Sequence, residues 1–196
     1  WERAIFMPSS NQKMPEAPIL RVLKLNKYAY VTAPRLHFTS RLPRCHSFYD
    51  IVDPELYFKD HPEYFSMNAE GKRYRGPAKR VDGQLCLSNP GTIRIATEKL
   101  LSLIAQDRAA AQANGTVAPN VYPVSQNDNT NFICFCPECK TIAAEEGGEG
   151  GLLIRFVNDV ADEVAKTYPD VMLLTDAYVS TEKAPLKVRP RANVIV

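Results

Sequence analysis

Three thiols within six residues, Cys134-Phe135-Cys136-Pro137-Glu138-Cys139, form the densest group of metal-type side chains in the sequence. A Cys-x-x-Cys turn can present two thiolates to one tetrahedral zinc ion, and Cys134 offers a third ligand. A fourth has to arrive from another loop, and Cys45, Cys86, His37, His46 and His61 are the residues available. The same run also fits a disulfide, a redox pair, or small buried side chains that pin a loop. Five cysteines leave one unpaired in any full disulfide scheme.

The second group of candidates is polar. In parallel βα architectures, ligands are handled where strands end, so polar residues directly after β-branched apolar runs come first. Three places qualify: Cys45-His46 with Tyr49 and Asp50, the cluster Asn127-Asp128-Asn129, and Asp176 with Tyr178. Asn and Asp also form turns and cap helices, so for Asn127-Asp128 capping and function stand side by side. Around His61 and Glu63, the aromatics Tyr57, Phe58, Tyr64 and Phe65 suit sugar stacking, but their spacing favours packing of a loop. The glycines at 147, 148, 150 and 151 read as a flexible helix entrance, since no lysine completes a phosphate loop. No His-Glu-x-x-His or Gly-x-Ser-x-Gly string occurs.

The elements that must position these residues alternate in type. Apolar runs at 4–7, 84–87, 120–124, 171–175 and 192–196 read as strands, with helices at 16–25, 54–59, 91–113 and from 152 to about 168. Segment 27–44 reads as a long loop with one strand at most. Asp53-Pro54 is a cap followed by proline at the first helical position, and Asn114-Gly115 is a helix stop. Strands alternating with helices predict an α/β fold with a parallel sheet.

Composition excludes several classes. The chain has 196 residues, 45% hydrophobic and 23% charged, so it is neither disordered nor fibrous. Twenty-four basic residues against 22 acidic ones give no electrostatic footprint for nucleic acid. No apolar run approaches the roughly 20 residues of a membrane-spanning helix. The chain opens on Trp1-Glu2-Arg3 and ends on the apolar Val194-Ile195-Val196, which reads as a segment of a longer protein.

The order of motifs carries a resemblance. His61-Pro62-Glu63-Tyr64-Phe65, Gly71-Lys72-Arg73, Gln84-Leu85-Cys86-Leu87-Ser88-Asn89-Pro90, Asn127-Asp128, the cysteine run and Asp176-Ala177-Tyr178 together resemble bacterial proteins of glycoside hydrolase family 163. The resemblance runs from about His46 to Val196. It implies a (β/α)8 TIM-barrel-like fold, with residues 1–196 an incomplete barrel that continues past the C-terminus. It also implies endo-β-N-acetylglucosaminidase activity on complex N-glycans, and a secreted, periplasmic or cell-surface setting. Such enzymes often use the substrate's own acetamide as nucleophile. By analogy Asp128 is the acid or polariser and Asn127 orients the acetamide, while His46, Asp176 and Tyr178 contact sugar hydroxyls. No catalytic cofactor is called for; a structural zinc ion at Cys134, Cys136 and Cys139 is the one metal implied. The alternative is a non-catalytic carbohydrate-binding or structural module stabilised by that zinc.

Overall fold

The structure is a computed structural model that describes residues 36–76, 83–129 and 133–196. The expected strand at 4–7 and helix at 16–25 lie outside the described residues. In chain order the helices are α1 (Phe48–Ile51), α2 (Pro54–Tyr57), α3 (Pro90–Asn114), α4 (Pro137–Glu146) and α5 (Glu149–Thr167). The strands are β1 (Val121–Pro123), β2 (Met172–Leu174) and β3 (Val194–Ile195). They form one parallel sheet in the order β1-β2-β3, with Tyr122 opposite Leu173 and Leu173 opposite Val194. Phe38 adds a single parallel bridge to Val121.

Local chemistry sets the ends of the helices. The Asp53 carboxylate accepts from the Glu55 N–H ahead of α2, with Pro54 at the first position. At α3 the Asn89 side chain accepts from the N–H groups of Gly91 and Thr92, and Gly115 closes the helix at φ 63°. The apolar stripe of α5, Leu152, Leu153, Phe156, Val157, Val160 and Val164, is buried. It packs on α3, α4 and the sheet, where Tyr122 and Leu173 are fully enclosed. Asp107 on α3 accepts hydrogen bonds from Thr39 Oγ1 at 2.6 Å and the Tyr122 hydroxyl at 3.0 Å, which ties α3 to β1.

This is a partial α/β fold, and the expected (β/α)8 TIM-barrel-like architecture, incomplete or otherwise, is corrected. A barrel of eight βα units takes about 250 residues. Here α3, α4 and α5 hold 25, 10 and 19 residues, and three short strands form among the described residues. The run 84–87 is not a sheet strand: Leu85 makes only an isolated antiparallel bridge to Phe65. It is apolar because Leu85, Cys86 and Leu87 are buried in the core, not because it lies in the sheet.

The glycine run is a tight joint rather than a flexible entrance. Gly147 ends α4 at φ 76°, and a Cβ on Gly150 would stand 2.3 Å from the Lys183 carbonyl oxygen. Beside it, the buried Glu146 carboxylate accepts from Arg155 and from the N–H groups of Lys187 and Val188 at 2.9 and 3.0 Å. Burial alone would push this carboxyl up, but the two N–H groups and the Arg155 guanidinium outweigh it and hold the pKa at about 2. Because the folded value lies below the unfolded one, the stabilisation is complete above about pH 4.5 and fades as pH falls towards 2. Glu146→Gln is expected to cost about 3 kcal/mol at pH 7. Thermal melts of both proteins from pH 7 to pH 3 should converge as the pH falls; a constant gap would show that Glu146 does not carry this dependence.

Candidate metal centre and polar surface

The cysteine run enters α4 directly. Cys136 is the residue before the helix, Pro137 occupies its first position, and Cys139 sits in its first turn. The positive end of α4 therefore faces the thiols. Cys86 comes from the buried segment ahead of α3 and completes the group. The four sulfurs of Cys86, Cys134, Cys136 and Cys139 all lie within 4.8 Å of one another, and all four residues are buried. Cys86 Sγ is 3.7 Å from Cys136 Sγ and 3.9 Å from Cys139 Sγ. A tetrahedral zinc ion with bonds of about 2.3 Å sets its sulfurs about 3.8 Å apart. A disulfide would need about 2.05 Å, and none of the five cysteines is in one. The exposed Cys45 stands outside the group.

Charge favours a cation here. Hydrogen bonds from Cys134 and Cys139 push the Cys86 thiol down, whereas Cys134, Cys86 and burial push Cys139 up. Close thiols in a dry site cannot all ionise alone, and a divalent cation relieves that conflict by replacing their protons. The residues present thus fit a metal ion. Among the four named fourth-ligand candidates other than Cys86, none joins the cluster.

A polar group forms separately, at the carboxyl ends of β1 and β2. The Tyr178 hydroxyl donates to Asp128 Oδ1 at 3.0 Å, and His46 Nε2 stands 3.9 Å from the same oxygen. The His46 and Tyr178 rings meet edge to face at 5.6 Å. His46 Nδ1 lies 2.9 Å from the Gln126 carbonyl, which only accepts, so Nδ1 carries the proton and Nε2 faces Asp128. The Asp128 side chain is 62% exposed. Hydrogen bonding to Asp128 and its charge push the Tyr178 phenol up.

Of the five residues given a catalytic or sugar-contact role, His46, Asp128 and Tyr178 thus converge. Asn127 does not display its side chain: it is fully buried, and its Nδ2 donates to the Gly83 carbonyl at 2.8 Å. Asp176 lies on the wall of a cavity of about 800 Å³ that reaches Ala177 and Thr181. The aromatic segment packs, with Tyr64 and Phe65 buried.

Two glutamines escaped the sequence reading. Gln84 Oε1 accepts from the Asn127 N–H at 2.9 Å and its Nε2 donates to the Asn127 carbonyl at 3.0 Å, clamping the backbone one residue before Asp128. Gln126 Nε2 donates to the Tyr178 carbonyl and Gln126 Oε1 accepts from Thr181 Oγ1, which joins the loops after β1 and β2. The available signal was a polar residue heading the apolar run 84–87. Two non-glycine residues with positive φ, His46 at 57° and Val179 at 51°, flank the same site. For a β-branched residue this conformation is strained, and such strain clusters at functional sites.

Among the described residues, no helix is long and apolar enough to cross a membrane. No curated protein and no solved structure matches the sequence. The model of one family, described as Domain of unknown function (DUF4838), matches residues 11–196, and the chain belongs to that family.

Proposed function

We propose that the chain acts on carbohydrate at the Asp128 surface, on a fold stapled by a structural zinc ion. The observation that carries the first part is the convergence of His46, Asp128 and Tyr178 at the carboxyl ends of parallel strands. The reaction class is hydrolysis of an N-acetylglucosaminide in N-glycans: the acetamide oxygen attacks the anomeric carbon as the glycosidic C–O bond breaks. The departing oxygen takes a proton from Asp128 in its acid role or from water in its polariser role, and water then opens the oxazoline to restore the acetamide. Asp128 serves as acid or polariser: one oxygen is held by Tyr178, and the exposed carboxylate can meet the acetamide N–H. Asn127 fixes the loop through Gly83, and the contact to acetamide falls to Asp128. The motif resemblance to glycoside hydrolase family 163 supports the substrate class. Incubation with a glycoprotein bearing complex N-glycans should release glycan detectable by mass spectrometry. Binding without release would replace hydrolysis by a carbohydrate-binding role, and neither would remove the reading.

The zinc reading rests on the sulfur separations of 3.7 and 3.9 Å. Cys86, Cys134, Cys136 and Cys139 would supply all four ligands, which closes the site to substrate and makes the ion structural. Metal analysis of the purified protein should find close to one zinc per chain; absence of metal with reactive thiols would remove it.

A further inference from the structure

Four thiolates around a divalent cation carry a net charge of about −2, and a buried centre of that charge needs compensation from its surroundings. The donors around the cluster are unequal. The Met67 N–H donates to Cys134 Sγ at 3.3 Å, and Ser88 Oγ lies 3.1 Å from Cys139 Sγ. Both are neutral. Arg73 differs: Nη1 donates to the Phe65 carbonyl at 2.8 Å and stands 3.9 Å from Cys134 Sγ.

A short hairpin makes this placement local. Met67 and Arg73 face each other in an antiparallel bridge, Asn68 Oδ1 accepts from the Lys72 N–H, and Gly71 takes φ 77° at the turn. One turn therefore aims a backbone N–H and a guanidinium at the same sulfur. A guanidinium is charged at any ordinary pH, so Arg73 brings a full positive charge to this side of the cluster.

We propose that Arg73 is the counter-charge of the cysteine centre, a positioning residue that sets how tightly the metal is held by offsetting the tetrathiolate charge. The inference rests on the zinc reading above. Removing such an outer partner weakens metal binding by about 10–100-fold. Arg73→Gln keeps an N–H donor and loses the charge, whereas Arg73→Lys keeps the charge and loses the planar fork.

The test measures zinc affinity of the full chain by chelator competition at fixed pH, in low and high salt, for the wild type and both variants. Cobalt(II) substitution reports the geometry through thiolate charge-transfer and ligand-field bands. Arg73→Gln is expected to bind zinc at least about 10-fold more weakly, with Arg73→Lys closer to wild type and the tetrahedral cobalt spectrum retained in both. Wild-type protein that binds zinc, with Arg73→Gln binding equally well, would overturn the role of Arg73 and leave the zinc site standing. Wild-type protein that binds neither zinc nor cobalt would overturn the zinc reading itself. Should Arg73→Gln fold poorly, Arg73→Lys decides: an affinity as low as that of a Cys134→Ser control would show that geometry, not charge, governs the site.

Discussion

With zinc held by four thiolates as proposed, Cys86→Ser is expected to abolish metal binding and the fixed tertiary packing that depends on it. The serine hydroxyl does not ionise at neutral pH and is a poor zinc ligand, so three thiolates remain in a buried site shaped for four. Structural zinc contributes on the order of 10–16 kcal/mol to the folding of small metal-bound domains. Total stability is only about 5–15 kcal/mol, so forfeiting even part of the metal term competes with the whole. The effect should reach the core, because Cys86 lies between the buried Leu85 and Leu87, and Cys139 opens α4, which packs on α5. Zinc content by metal analysis and tertiary signal by near-ultraviolet circular dichroism would both fall. Cys45→Ser, altering an exposed thiol outside the cluster, should leave zinc content at the wild-type level. A Cys86→Ser protein with full zinc and an unchanged melt would refute the four-thiolate site.

The second large effect concerns Asp128. Asp128→Asn should lower the rate of glycan release by roughly 10²–10⁴-fold, the usual contribution of a positioned acid or base. Its fold should survive, because the side chain is exposed and Gln84 clamps the Asn127 backbone rather than Asp128 itself. Tyr178→Phe removes the hydrogen bond to Oδ1 but leaves the carboxylate in place, and should cost less than Asp128→Asn. Release rates measured beside thermal melts separate chemistry from folding. Wild-type turnover in a folded Asp128→Asn protein would eliminate this carboxylate from the reaction.

Local signals in the sequence were read correctly where one residue type answers one physical need. Asp53 and Pro54 open α2 and Gly115 closes α3, because a cap, a preset φ and a left-handed turn each favour particular residues. The parallel strands were equally visible as short apolar runs, although shorter than expected. The barrel failed for a different reason. A short apolar run looks the same in a sheet and in irregular backbone under a helix, and residues 84–87 took the second form. α4 went unread because its start is the cysteine run itself, although Pro137 and Gly147 marked both ends. For the candidate sites, residue chemistry pointed to His46, Asp128 and Tyr178, which the fold brings side by side, and to three of the four clustered thiols. Choosing Cys86 from the available fourth ligands, and finding Gln84 and Gln126, needed contacts across 40 to 55 positions of chain, which spacing does not encode.

The cysteine centre also bears on the order in which the chain assembles. Cys86 and Cys139 lie 53 positions apart, and the chain between them contains the whole of α3 and β1. Closing a loop of that length lowers the entropy of the unfolded ensemble by the equivalent of roughly 4 kcal/mol at room temperature. Helix α3 can form early from local contacts, whereas the fourth thiolate arrives only after the intervening chain has turned back on itself. On the four-thiolate zinc reading, metal capture belongs to the closing steps of folding, and refolding without zinc should leave the entrance to α4 unanchored.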